Sequence, residues 1–246
     1  MALPSIILPE YRIKLLSRNE EIVIRPITVK EEKILLMALE GTTKDIAYAI
    51  RQIIVNCTKD SINVDELDFY ELIYIFMHIR KISSGEELKS KITVNNEEYD
   101  AICDLNKDIK ISGLDKLEEF SKPIQLTGND IFIEVRPMKF KDYIRLTSIL
   151  DKSKDEDSMQ NKVKIMYTTM LLTIKKIYTK EESYDPNDYT LEELENFYES
   201  FIQSDKIKIQ EKFQQLPKIT LNYHYKDKSG KDCIQELDNV DFNFFG

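Results

Sequence analysis

The chain has 246 residues, of which 42% are hydrophobic and 32% are charged, enough to bury the core of one large domain or of two small ones. The formal net charge of −9 argues against nucleic-acid binding, because that affinity comes mainly from clustered Lys and Arg. With only 6 Gly and 7 Pro, the sequence also argues against long flexible linkers.

The sequence predicts neither a targeting segment nor a membrane span. The amino terminus lacks a basic region and has too short an apolar run for a signal peptide. No stretch approaches the roughly 20 apolar residues that cross a bilayer. Cys57, Cys103 and Cys233 lie far apart and form no CxxC pattern, so we expect free thiols, buried, in a protein made in a reducing cytosol.

The first half predicts a hairpin, three helices and a small meander of strands. A capping box of Thr28 and Glu31 begins the first helix, and Gly41 ends it. The second helix is capped at Thr42 or Thr43, and the third is apolar on nearly all sides from Leu67 to Ile79, so we expect it to be central. The predicted strands are 11–16, 21–25, 86–95, 98–105 and 108–112, and Asn95-Asn96 is the predicted hairpin turn between the third and the fourth.

The second half repeats this order after a joint at residues 113–123, which includes a short helix at 114–120. Thr190 and Glu193 form another capping box. The predicted helices are about 139–150, 158–179, 190–203 and 204–215. The predicted strands are 122–127, 130–136, 218–226 and 232–237. Strands and helices in this order indicate an α+β fold.

One pattern occurs twice in the chain. Ile22 to Lys30 and Ile133 to Lys141 each contain an apolar strand-like run, an Arg-Pro step and a Lys four residues after the Pro. Three further matches keep the same order: Phe69–Glu71 with Phe197–Glu199, Lys91–Val94 with Lys218–Leu221, and Cys103 with Cys233. We infer an internal duplication into two similar units, 1–120 and 121–246, which share one combined core.

The sequence offers little material for catalysis. Of the two histidines, His78 lies in the apolar third helix and is expected to be a hydrogen-bonded core residue, while His224 lies on the polar face of a hairpin. No Gly-rich phosphate loop, GxSxG or HExxH motif is present. Carboxylates such as Glu181 and Glu193 are expected to be solvated. We therefore predict no enzyme activity, no cofactor and no metal; a hydrolase would need a cleft with converging carboxylates or His78.

Arg25 and Arg136 are the most distinctive polar residues that occur in both copies of the pattern, and two interpretations of them stay open. The structural interpretation has each Arg lie over the edge of the core and pair with a carboxylate at a corner that Pro fixes. The alternative makes them docking residues, since Arg is enriched at protein interfaces.

The opening of the chain resembles the T-even-type phage baseplate hub family. The block that carries the resemblance is Arg25-Pro26 with Val29 to Glu40. Asp68 to Leu72 with Ser84-Gly85-Glu86, and Leu216 to Ile219, are similar to later parts of that family. Ile27 departs from the pattern, since an aromatic residue is expected there.

The resemblance implies a non-enzymatic component or assembly factor of a contractile tail's baseplate hub, which acts through protein–protein contacts. Its partners would be other hub and tail proteins, with no nucleic acid and no membrane. The protein would occupy the host cytoplasm during assembly and the tail baseplate of the virion. A permanent subunit and a transient assembly catalyst both remain open, and the alternative is a host-directed phage effector that binds a cellular protein.

The 13 Tyr and 11 Phe offer anchors for partners. Phe242, Phe244 and Phe245 alternate with other residues at the end of the chain, where burial in the protein's own sheet competes with docking. We predict that Phe245, with Tyr223 and Tyr225 of the adjoining hairpin, contacts other hub proteins.

Overall fold

A computed structural model of the chain describes residues 4, 6–18, 20–150 and 159–237. Eleven strands and eight helices lie in these ranges, and every strand pair is antiparallel, so the predicted α+β class is confirmed. The elements of the first half are β1 (Tyr11–Lys14), β2 (Glu21–Ile24), α1 (Val29–Leu39), α2 (Thr43–Cys57), α3 (Phe69–Ser84), β3 (Glu87–Val94), β4 (Glu97–Asp104), β5 (Ile109–Ser112) and α4 (Leu117–Phe120). Those of the second half are β6 (Ile124–Gln125), β7 (Phe132–Val135), α5 (Phe140–Leu150), α6 (Met159–Leu172), β8 (Ile174–Tyr178), β9 (Ser183–Tyr184), α7 (Leu191–Glu199), α8 (Gln203–Phe213), β10 (Lys218–Lys226) and β11 (Asp232–Leu237).

The local chemistry of the sequence sets several of these boundaries. Thr28 with Glu31 and Thr190 with Glu193 form the predicted capping boxes of α1 and α7. Asn95 and Asn96 both take positive φ angles, of 53° and 65°, and join β3 to β4 in a tight hairpin. α3 is central as expected, since its Leu72, Ile75, Phe76 and Ile79 are fully buried.

The principal sheet draws strands from both halves. Its order is β11-β10-β4-β3, and β5 pairs with β10 rather than with β4. The expected meander of the first half is therefore wrong in its third strand. Leu221 lies opposite Ile109 while His224 lies opposite Ile102, so one edge of β10 serves β5 and β4 in turn.

A second sheet, in the order β6-β7-β8-β9, includes two strands that the sequence does not predict, β8 and β9. The helix expected over 158–179 ends at Leu172, and Ile174–Tyr178 forms β8 instead. The side chain of Thr173 donates to the carbonyls of Thr169 and Met170, which satisfies the end of α6. Pairing with β7 then satisfies the backbone of β8, and this tertiary contact overrides the helical spacing. The helix expected over 190–203 also ends early, at Glu199.

The buried apolar residues form two clusters in place of one combined core. The larger cluster surrounds α2 and α3 and includes Phe140, Ile219, Leu221 and Tyr223 from the second half. The smaller cluster lies between the β6–β9 sheet and helices α6, α7 and α8. Both halves therefore contribute to the larger cluster.

Backbone and charge contacts also join the halves at the start of α5. The amide of Phe69 donates to the carbonyl of Met138 at 2.8 Å, and the amide of Phe140 donates to the carbonyl of Leu67 at 2.9 Å. The carboxylate of Glu66 accepts hydrogen bonds from the ammonium groups of both Lys139 and Lys141. These contacts fix α5 against the segment that leads into α3.

Candidate functional site

Arg25 forms the first of two similar corners between a strand and a helix. Its amide donates to the carbonyl of Cys57, at the end of α2, at 2.9 Å. Its guanidinium donates to Glu31 Oε1 at 2.9 Å and to the carbonyl of Pro26 at 2.8 Å. Burial opposes ionisation of Glu31, but hydrogen bonds from Arg25 and Thr28 outweigh it and lower the pKa of this carboxyl to about 2.

Arg136 forms the second corner and binds the same kinds of partner as Arg25. Its amide donates to the carbonyl of Thr173, just after α6, at 2.9 Å. Its guanidinium donates to Asp142 Oδ1 at 3.1 Å and to the carbonyl of Pro137 at 3.2 Å, and also to the carbonyl of Leu172. Glu31 and Asp142 each follow their Arg by six residues and each lie in the first turn of a helix.

Both guanidinium groups point into the protein. The exposed fraction of the side chain is 16% for Arg25 and 22% for Arg136, and the paired carboxylates are nearly buried. The arginines therefore tie a strand to the two helices that follow it. This placement favours the structural interpretation of Arg25 and Arg136 over docking.

Of the aromatic residues predicted to contact partners, the structure describes Tyr223 and Tyr225. Tyr223 is buried in the larger cluster, at 7% exposure, so its ring has no free face for a partner. Tyr225 is half-buried and packs against Tyr99, with ring centroids 4.9 Å apart. Phe242, Phe244 and Phe245 lie outside the described residues.

The histidines and cysteines do not converge. His78 is half-buried beside the ring of Tyr74, and burial together with the charge of Lys81 lowers its pKa. His224 lies on the outer face of β10, with Nε2 2.9 Å from Asp108 Oδ1. Burial raises the pKa of the Cys57 and Cys103 thiols to about 12, and both are free as expected.

The described part of the chain holds neither a metal-ligand group nor a membrane-spanning helix. No three His, Cys, Asp or Glu side chains within it come together as a group that could hold a metal ion. None of the helices described is long and apolar enough to cross a bilayer. The predictions of no metal, no cofactor and no enzyme activity stay predictions.

The outer side of α1 carries exposed apolar side chains. Val29 is 79% exposed, Leu36 51% and Met37 67%, and Val29 and Leu36 lie two turns apart on one side of the helix. The opposite side of α1 packs on α2 through Leu35, which is 1% exposed. The equivalent helix after Arg136, α5, exposes Lys141 and Arg145 instead. The exposed apolar side chains of α1 keep hydrophobic area in contact with water, which is unfavourable. This side of the helix is therefore a candidate contact surface.

A cleft of about 410 Å³ lies in the second half, between the β7–β9 strands and α7. Its apolar lining consists of Ile131, Ile177, Tyr184, Tyr189, Leu194 and Phe197. Glu193 and Thr179 supply its polar groups. Ile177 and Leu194 are buried, whereas Tyr189 at the mouth is 40% exposed. We call this the β8–α7 cleft.

Comparison with known proteins settles the family. The family model described as T4 bacteriophage base plate protein matches residues 8–245, nearly the whole chain. The chain belongs to this family. Comparison with curated proteins and with solved structures finds no significant match. The family match confirms the resemblance to phage baseplate proteins, and the function is that of a base plate protein of a bacteriophage tail.

Sequence reasoning missed both surfaces of this base plate protein. Val29, Leu36 and Met37 were visible as apolar residues away from the buried stripe of α1, so their exposure could have been predicted from helical spacing. The β8–α7 cleft could not have been found in the same way, because its lining comes from residues between Ile131 and Phe197 and depends on the unpredicted strand β8.

Proposed function

We propose that this base plate protein is a non-enzymatic component or assembly factor of the hub of a contractile tail, and that it acts through contacts with other hub and tail proteins. The observation that carries the proposal is the apolar outer side of α1, formed by Val29, Leu36 and Met37. These residues belong to the block from Val29 to Glu40 that resembles the hub family. Apolar side chains on a rigid helix are suited to a protein interface.

Arg25 and Arg136 have an indirect part in this proposal. Arg25 fixes the first turn of α1 through Glu31 and ties it to the end of α2 through the carbonyl of Cys57. It therefore holds the outer side of α1 in a defined orientation. We assign Arg136 the same task for α5, which contacts α2 and α3. Tyr225 and Phe245 remain candidates for contacts near the end of the chain.

The proposal is tested with a double variant on α1. Leu36→Gln with Met37→Gln removes two of the three apolar side chains of this surface, and Gln keeps helix propensity, so the fold is retained. We expect this variant to lose co-purification with tagged hub proteins from infected cells and to give fewer infectious particles. Ile207→Gln is the matched control, because Ile207 is a 45% exposed apolar residue on another helix, α8.

Mass spectrometry of purified virions separates the two forms of the proposal. A fixed copy number per tail supports a permanent hub subunit, and absence from virions with retained binding to hub proteins supports an assembly factor present in the host cytoplasm. If the protein is absent from virions and binds only a host protein, it is a host-directed effector and the proposal is wrong.

A further inference from the structure

The β8–α7 cleft depends on two strands, β8 and β9, that have no counterpart in the first half. β8 and β9 follow α6, whereas the chain that follows α2 enters the segment before α3 with no strand pair. The floor of the cleft is closed by buried Ile177 and Leu194. Its volume of about 410 Å³ falls in the range of ligand-binding clefts, large enough for one or two apolar side chains of a partner.

Part of the cleft lining comes from a segment that is more acidic than any other of its length in the sequence. From residue 181 to residue 205 there are nine acidic residues and no Lys, Arg or His. Eight of them have exposed side chains: Glu181, Glu182, Asp185, Asp188, Glu192, Glu193, Glu195 and Glu199. This segment contributes Tyr184, Tyr189, Glu193, Leu194 and Phe197 to the lining, so the charge lies beside the cleft.

These charges are not neutralised within the described part of the chain. There, none of the eight carboxylates forms an ion pair with Lys or Arg. The lysines nearest in sequence contact other groups. Lys180 pairs with Asp130 and Lys208 with Asp205, while Lys176 lies over the ring of Tyr178 and Lys206 over that of Tyr167. Hydrogen bonds from the backbone and side chain of Thr190 lower the pKa of Glu193, so its carboxylate stays ionised at the cleft wall.

We propose that the β8–α7 cleft binds a partner segment in which an aromatic or aliphatic anchor is flanked by Lys or Arg. The apolar lining takes the anchor, and the unpaired carboxylates bind the basic flanks and steer the encounter. A fatty acid or another anionic ligand is repelled by the same charges. The proposal rests on the proposed function, since it assumes that this base plate protein works through protein contacts, and it adds the chemistry that a partner must carry.

The experiment measures binding of a synthetic peptide to the purified full-length protein by fluorescence anisotropy. The probe is a fluorescein-labelled peptide with a central Leu-Phe pair and two Lys on each side. One matched peptide has Glu in place of every Lys, and another has Ser-Ser in place of Leu-Phe. We expect the Lys-flanked Leu-Phe peptide to bind and both matched peptides to bind at least about tenfold more weakly.

Two variants place the binding in the cleft. Tyr189→Ala removes an exposed wall of the cleft, and Tyr48→Ala on α2 is its control, since Tyr48 has a similar exposure of 48%. Glu182→Gln with Glu193→Gln removes two charges, and Gln at position 193 still completes the capping box. Its control, Glu32→Gln with Asp45→Asn, removes two exposed charges from the first half. Each cleft variant should weaken binding about tenfold and each control less than about twofold.

The outcomes separate this inference from the proposed function. Absence of binding, equal binding of the Lys and Glu peptides, or equal binding by cleft variants and controls each overturns the inference. Circular dichroism and thermal unfolding of each variant show that a loss of binding is not a loss of fold. If the peptide binds in the cleft but the protein neither enters tails nor associates with hub proteins, the proposed function fails while the inference stands.

Discussion

Arg25 binds Glu31 in the first half in the same way that Arg136 binds Asp142 in the second. In both corners the amide of the Arg also donates to the carbonyl at or just past the end of the second helix that follows. Each Arg therefore joins a strand, the first turn of one helix and the end of the next. A sequence that keeps only Arg-Pro and a carboxylate six residues after the Arg can keep this arrangement, because the other partners are backbone groups.

Acid should weaken the first corner through Glu31. Because its folded pKa of about 2 lies below an unfolded value of about 4.3, the unfolded state binds the proton more readily. The ionised Glu31 therefore adds a few kcal/mol to the free energy of unfolding. This contribution is fully present above the unfolded pKa and is lost as pH falls toward the folded pKa. In urea unfolding from about pH 7 to about pH 3, Glu31→Gln should be less stable than the natural chain near pH 7, and the difference should shrink below about pH 4.5.

The control for this prediction is Glu98→Gln, a change at an exposed carboxylate on β4. It should leave the pH dependence nearly unchanged. A difference between Glu31→Gln and the natural chain that stays constant across the acid range would show that Glu31 stabilises α1 only by capping, and not as a charge.

Replacing either corner Arg by Lys should destabilise the protein, because Lys cannot donate to a carboxylate and a carbonyl in one fixed fork. We expect Arg25→Lys and Arg136→Lys each to lower the free energy of unfolding by about 1–3 kcal/mol. Arg12→Lys on the exposed strand β1 is the control and should cost less than about 0.5 kcal/mol. If the free energy of unfolding falls no more for Arg25→Lys and Arg136→Lys than for Arg12→Lys, the two corner arginines do not stabilise the fold.

We propose that the two halves descend from one duplicated unit, and the structure refines the correspondence between them. Each half has a hairpin, the Arg corner, two helices, a 3-10 turn, another helix and a strand hairpin. The turns at Val64–Glu66 and Pro186–Asp188 precede α3 and α7 by the same interval. The match of Phe69–Glu71 with Phe197–Glu199 is not equivalent in structure, because one begins α3 and the other ends α7. β8, β9 and α8 have no counterpart in the first half.

Local chemistry made much of the fold predictable. The capping boxes, the Asn95-Asn96 turn and the apolar third helix each depend on residues close in sequence, and all three predictions are confirmed. The failures are nonlocal. β5 finds its partner about a hundred residues away in β10, and β8 forms because β7 offers an edge to it. The acidic stretch after Lys180 was visible, but only the fold places it beside an apolar cleft.

Glu66 should couple the halves in a manner that depends on salt. Hydrogen bonds from Lys139, then from Lys141, lower the pKa of this carboxyl to about 2, and its side chain is 38% exposed. Solvent screening therefore limits its contribution, and we expect Glu66→Gln to cost less than about 1 kcal/mol at low salt and little at about 1 M salt. Urea unfolding at both salt concentrations measures this.

Asp130→Asn is the control for Glu66, since Asp130 pairs with the single Lys180 within the second half. Asp130→Asn should lower the free energy of unfolding less than Glu66→Gln does at low salt. Glu66 binds two lysines and so links α5 to the segment before α3, whereas Asp130 binds one lysine. Equal and salt-independent losses for the two variants would contradict a coupling role for Glu66.

Gly113 should be the glycine least able to accept a side chain. It follows β5 with a φ of +83°, and a Cβ there would lie 2.9 Å from the carbonyl oxygen of Leu216 and 3.1 Å from that of Gln215. This close approach follows from the pairing of β5 with β10, which begins beside Leu216. Gly230 has a similar φ of +84°, but a Cβ there would meet nothing within 4 Å. The two positions therefore share the backbone strain and differ in the clash.

We expect Gly230→Ala to cost about 1 kcal/mol from the positive φ alone. Gly113→Ala should cost about 1–3 kcal/mol more, because the obstructing atoms are backbone and cannot rotate away. Urea unfolding of the two variants in parallel gives the difference. The extra loss should come with weaker hydrogen-exchange protection in β5 and β10, since the clash separates those strands. Equal losses for the two variants would mean that β5 and β10 are not held together at Gly113.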